Sequence, residues 1–274
     1  MGQIDSLKDV LQFYADSGVD LALDETPHNR LASPPQENPA GRGAADAQPA
    51  AAGSSVAAST PGFSETKPHE INVQEARDRA ASANSLDELM SLLASYEGCG
   101  LKRTATHTVF EDGSRDAKIM LVGEAPGRDE DLQGKPFVGR SGQLLDRMLK
   151  AAGFDRNHVY IGNILAWRPP GNRAPTAAEM ELCKPFITRQ IELMKPELLV
   201  FLGASSAKNM LDTTDGILKL RGKWRSYSRA EIPVLPMLHP AYLLRQPAQK
   251  RLAWRDFLSL RKAAADKGLL PPDA

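Results

Sequence analysis

Four short apolar runs, at 118–122, 159–164, 198–202 and 232–238, are each followed by a segment with helical spacing of its apolar residues. The helical segments lie at 140–152, 177–194, 205–211 and 247–262. Runs of this length, apolar on both faces, suit parallel strands covered by crossover helices on each side. The pattern predicts an α/β fold: three αβα layers around a central, mainly parallel four-stranded sheet. In such folds ligands bind outside the carboxyl ends of the strands, so those ends are where chemistry is expected.

The chain divides before this pattern begins. Between positions 32 and 64, 24 of 33 residues are Ala, Gly, Pro or Ser, too little apolar surface to offset ordering entropy. We read 28–69 as a disordered linker and 70–274 as the folded domain, with helices over 71–83 and 85–96. Ser85 followed by Glu88 makes a capping-box start for the second of these. Ahead of the linker, Ile4, Leu7, Val10, Leu11 and Tyr14 recur at helical spacing, so 1–27 reads as a short amphipathic helix. That helix is either a docking peptide for a protein partner or packed on the body.

The net charge is zero, with 34 basic and 34 acidic residues, but it is unevenly spread. Residues 1–100 carry 15 acids and 6 bases, whereas 214–262 carries 11 bases and 3 acids. The basic stretch is either a solvated helix face or the contact for an anionic partner. No stretch approaches the ~18 apolar residues of a membrane span, and no basic-then-apolar secretory signal opens the chain. Two cysteines, Cys99 and Cys183, cannot form a disulfide framework. A cytoplasmic, monomeric protein with no membrane partner is expected.

The strand ends carry the candidate residues. After the first strand comes Gly123-Glu124-Ala125-Pro126-Gly127, continuing through Glu130-Asp131 to Gly134-Lys135-Pro136-Phe137-Val138-Gly139. Its glycines and prolines predict a long shaped loop rather than a helix start. It matches neither a phosphate-binding P-loop nor a dinucleotide fingerprint. Its acids suit positioning a water or stabilising a cationic transition state, or they form a solvated loop. Phe137 is plain core or a stacking platform. Asn163, ending the second strand, reads an amide-like ligand edge or ties a loop. His239, ending the fourth, is a candidate acid, base or charge stabiliser, or a structural residue. Leu243 and Leu244 beside Arg245 are packing residues or a wedge for a base stack.

Taken together, these segments resemble the uracil-DNA glycosylase superfamily, most closely its type 4 members. The resemblance runs from about position 95 to 261. It rests on Gly123-Glu124-Ala125-Pro126-Gly127 with its continuation, on Val159-Tyr160-Ile161-Gly162-Asn163 with Arg168-Pro169-Pro170-Gly171-Asn172-Arg173, and on His239-Pro240-Ala241-Tyr242-Leu243-Leu244-Arg245. It implies hydrolysis of the bond joining uracil to deoxyribose in DNA, with the nucleotide flipped out of the stack. Gly123, Ala125, Phe137 and Asn163 would hold the base, and His239 would donate to its O2. Because Ala125 stands where some members carry Asp, the water would fall to Glu124 or Glu130, with Glu124 favoured. Glu130 would otherwise crowd the C5 position. Leu243 would be the wedge, and Arg245, Arg221 and Lys223 the phosphate contacts. Ala125 also keeps open a non-catalytic member that binds uracil or damaged DNA.

One departure bears on the cofactor. The family pattern holds a [4Fe–4S] cluster on four cysteines, of which Cys99 and Cys183 match two. Tyr96 and Trp167 occupy the other two positions, and neither supplies a thiolate. The expectation is therefore no cofactor, no metal and no cluster, with the two rings packed against the two thiols.

Overall fold

The computed structural model describes residues 73–227 and 231–271. The helix expected over 1–27 and the linker expected over 28–69 lie outside them. The elements run α1 (Val73–Ser82), α2 (Leu86–Ala94), β1 (Asp112–Gly113), β2 (Ile119–Gly123), α3 (Arg128–Gln133) and α4 (Arg140–Ala151). They continue with β3 (Tyr160–Asn163), α5 (Ala177–Met194), β4 (Leu198–Leu202), α6 (Ala204–Met210), α7 (Ile217–Leu220) and β5 (Arg225–Tyr227). The described part ends with β6 (Ile232–Met237), α8 (Pro240–Arg245) and α9 (Lys250–Asp266).

The strands form one sheet in the order β1-β3-β2-β4-β6-β5. The four central strands are parallel to one another, as the sequence pattern predicts. The sheet has six strands, not four, because β1 and β5 add antiparallel edges. Those edges hold only two and three residues, too few to show a period of two.

Side chains alternate across the central strands and split the core into two layers. Met120, Val122, Leu199 and Phe201 face α1, α2 and α5, where they meet Ala76, Leu89, Phe186 and Ile187. Ile119, Leu121, Leu198, Val200 and Leu202 face α4 and α9, against Leu145, Leu149, Phe257 and Leu260. Burial on both faces is why these strands read as unbroken apolar runs. The helix starts are capped as expected: Ser85 Oγ accepts from Glu88 N at 3.2 Å, and Thr176 Oγ1 from Glu179 N at 3.2 Å. The chain leaves β2 to one side for β3 and returns to the other for β4. The crevice at the carboxyl ends of these strands is therefore the topological switch point, the place where such sheets bind ligands.

One loop expectation is corrected. Residues 128–133 form α3 rather than loop. Gly127 starts it, and the Glu130 carboxylate reaches back to accept from Gly127 N at 3.1 Å, satisfying a donor the helix start leaves open. Among the described residues no helix is long and apolar enough to cross a membrane.

Candidate active site

A cleft of about 800 Å³ opens at the carboxyl ends of β2, β3, β4 and β6. Its lining brings together Glu124, Ala125, Phe137, Asn163 and His239 with Ser205, Tyr242 and Arg245. Three of these residues make a slot. Asn163 pairs in register with Gly123 across the β2–β3 ladder, so both sit at the same level. A Cβ on Gly123 would lie 2.3 Å from Asn163 Oδ1 and 2.8 Å from the Phe137 ring. Only glycine leaves that space open. The Phe137 ring stacks on the His239 ring at a centroid distance of 5.5 Å and an interplanar angle of 29°. The Asn163 side chain is buried, and its Oδ1 has no hydrogen-bond partner among the described residues. A buried amide oxygen without a partner is costly, and among the buried side-chain atoms without one it is Asn163 Oδ1 whose residue lines the cleft.

His239 is part-buried at the start of α8, and its Nδ1 accepts from Ala241 N at 3.1 Å. In the neutral ring that leaves the proton on Nε2. Burial, helped by the positive charge of Arg245, pushes its pKa down to about 4. The ring is therefore a neutral donor at physiological pH. Burial pushes the Glu124 carboxyl above the usual carboxylate range, and a hydrogen bond from Ser205 opposes part of that rise.

Glu130 is placed differently from its expected water-handling role. It lines the cleft, but Oε2 takes Gly127 N, and Oε1 takes Val138 N at 3.0 Å and Gly139 N at 2.9 Å. Three backbone donors engage the carboxylate, so it ties the loop that carries Phe137.

Two expected DNA contacts are also corrected. Leu243 is fully buried with Leu144, Leu238 and Ala253, where α8 meets α4 and α9. In this structure the side chain has no exposed surface to offer a base stack. Arg221 is paired with buried Asp256 and donates to Leu252 O at 2.9 Å. It serves the fold rather than a phosphate. Arg245 is exposed at the cleft, and Lys223 is exposed on the turn before β5, outside the cleft lining. Ser205 went unread in the sequence, although it follows a strand end, because a serine in Gly-Ala-Ser-Ser carries no distinctive chemistry.

Away from the cleft, Cys99 and Cys183 are buried with their sulfurs 3.9 Å apart. The hydrogen bond between them, with burial, pushes the Cys183 thiol well above its ordinary range. Tyr96 is buried against Phe186 at a centroid distance of 5.2 Å, and burial raises its hydroxyl to about 12. Trp167 is buried, and its Nε1 donates to Thr108 Oγ1 at 3.1 Å. A four-thiolate cluster does not fit this donor set: two thiols face a neutral phenol and an indole whose nitrogen can only donate. Among the described residues no group of three or more His, Cys, Asp or Glu side chains is arranged to hold a metal ion.

Fold and site together define a class: an α/β protein whose strand ends bring an aromatic ring, an imidazole and a buried amide into one cleft. The family model described as the uracil DNA glycosylase superfamily matches residues 110–258. Similar proteins include the type-4 uracil-DNA glycosylase of Sulfurisphaera tokodaii, 39% identical over 66% of this chain and 86% of that protein. The type-4 uracil-DNA glycosylase of Archaeoglobus fulgidus is 38% identical over 67% of this chain and 95% of its own length. That of Thermotoga maritima is 39% identical over 58% and 85%. This chain belongs to the uracil DNA glycosylase superfamily.

Proposed function

We propose that this protein is a DNA-repair glycosylase that hydrolyses the N-glycosidic bond of deoxyuridine, releasing uracil and leaving an abasic site. The observation that carries the reading is the unpartnered Asn163 Oδ1 in a slot floored by Phe137 and faced by His239. Uracil matches this slot. Its ring stacks on Phe137, its N3–H donates to Asn163 Oδ1, and its O4 accepts from Asn163 Nδ2. Cytosine does not match, because its amino group and bare N3 set donor against donor and acceptor against acceptor.

Water adds to C1′ as the C1′–N1 bond breaks, and the bonding pair leaves with uracil. Charge then grows on uracil O2, where neutral His239 donates from Nε2. One such preorganised donor is worth ~10²–10³ in rate. We assign water orientation, uptake of its proton and stabilisation of the sugar cation to Glu124, which must be ionised to do so. Glu130, fixed by its three backbone donors, is the wall we assign to excluding the methyl of thymine. Steric rejection of one methyl contributes only ~1–3 kcal/mol, so the energetics of flipping must share in that selectivity. Arg245 and Lys223 are assigned to phosphates, and DNA is the partner.

We further propose that the protein works without an iron–sulfur cluster, because the donor set offers two thiols where four are needed. Iron analysis and an absorption spectrum of anaerobically purified protein test this. A stoichiometric iron content with a broad charge-transfer band would contradict it. A cytoplasmic location and a monomeric state go with the reading.

The experiment for the activity is a single-uracil oligonucleotide treated with the protein and then with alkali. Strand breaks at the uracil mean a glycosylase. A gel shift without breaks means the non-catalytic binder.

A further inference from the structure

One half-buried cation beneath the Phe137 loop has no part in the mechanism above. Arg156 lies in the 3₁₀ turn Arg156–His158 ahead of β3 and does not line the cleft. Its guanidinium runs beneath the loop that ends in Phe137. Nη2 donates to Phe137 O, and Nη1 to Pro136 O at 3.3 Å. Nε donates to Asp146 Oδ1 at 2.8 Å, and Nη1 pairs with Asp112 on the edge strand. The two aspartates balance a charge whose burial alone would disfavour it.

The backbone it holds is unusual. Phe137 has a φ of +55°, the left-handed region that a residue with a side chain adopts only where its surroundings over-determine it. Those surroundings act from three sides. Arg156 fixes the carbonyls of residues 136 and 137. Glu130 fixes the N–H groups of residues 138 and 139. The start of α4 presses on the same carbonyl, since a Cβ on Gly142 would lie 1.7 Å from Phe137 O. Without the guanidinium the two carbonyls lose their shared donor, and the restraints from Glu130 and α4 alone hold residue 137 against relaxing toward extended φ. That rotation would carry the ring off the slot floor. Only a planar fork meets two successive carbonyls and two carboxylates at once; a lysine does not.

We infer that Arg156 is the positioning residue of the base-stacking shelf: it acts on uracil excision solely by holding Phe137 in its left-handed backbone. The inference rests on the glycosylase reading above. The test is a double-mutant cycle in single-turnover uracil release from a single-stranded oligonucleotide, with parent, Arg156→Ala, Phe137→Ala and the double variant. Arg156→Ala should slow release roughly 100-fold, the scale of a misplacement of about 1 Å. In the Phe137→Ala background the same change should cost no more than about threefold, because the shelf is already gone. Affinity for an abasic oligonucleotide, which offers no base to stack, should change less than about twofold. Arg156→Lys keeps the charge but not the fork, and should lose at least about tenfold in the parent and nothing in the Phe137→Ala background. If Arg156→Ala does not fold, the lysine cycle decides. Losses that multiply in the double variants, or a lysine variant with the parent's rate, would overturn the inference. A parent that releases no uracil would overturn the reading beneath it, and the inference would fall with that reading.

Discussion

Replacing Gly123 by alanine adds one carbon at the most crowded point of the slot. Gly123 does not have a positive φ, so the backbone accepts alanine. The space does not. The new Cβ would sit 2.3 Å from Asn163 Oδ1 and 2.8 Å from Phe137 Cε2 and Cζ, whereas ordinary contact begins at 3.4 Å. The amide must therefore move by about 1.1 Å and the ring by about 0.6 Å. Displacements near 1 Å in groups that hold a reacting substrate cost ~10² in rate. Overpacking of this kind costs the fold ~1–3 kcal/mol, so the variant should remain folded but less stable. Single-turnover uracil release, with a thermal melt alongside, reads both quantities. A folded Gly123→Ala protein within about threefold of the parent's rate would refute the geometry of the slot.

Other consequences follow from the charges and the corrected contacts. His239→Ala should lose ~10²–10³ in release rate with DNA affinity little changed, measured at saturating enzyme. The acid limb of the release rate should lie above the usual carboxylate range, since the raised Glu124 must be ionised; Glu124→Gln should be slow and lack that limb. His239 should add no limb between about pH 5 and 8, and it bears on stability instead. Its folded pKa of about 4 lies below the unfolded 6.5, so stability is full above the unfolded value and falls as pH drops from there toward 4. Denaturant midpoints across that range should fall less steeply in His239→Gln. Arg221→Ala leaves Asp256, 2% exposed, without its partner and should cost ~3–5 kcal/mol by urea unfolding, with the salt dependence of DNA binding unchanged. Arg245→Ala should instead lower the slope of log affinity against log salt by about 1.

What the sequence revealed follows the physics of each element. The central strands were legible because burial on both faces leaves short, largely apolar runs with sharp ends. Asn163 and His239 drew attention because they sit where those strands stop, and Phe137 because it is the one aromatic residue in the loop region after β2. Helix α3 hid in a glycine- and acid-rich stretch, and its signal was the spacing of Gly127 and Glu130 that caps it. That same cap gives Glu130 a structural task that composition alone cannot separate from catalysis. Leu243 and Arg221 were misread for one reason: what covers them lies far along the chain. Leu144 packs in one cluster with the leucine, and Asp256 pairs with the arginine. Arg156 gave no signal, because two of the atoms it holds are backbone carbonyls, which every residue possesses.

The central claim is that Phe137, Asn163 and His239 form a working uracil slot. The most direct measurement is alkali-revealed cleavage of a single-uracil oligonucleotide by the parent beside Asn163→Ala and His239→Ala. The account predicts breaks at uracil and not at cytosine or thymine for the parent, with each variant slower by ~10² or more. Equal cleavage by all three proteins, or none by the parent under conditions where it binds the DNA, would contradict it.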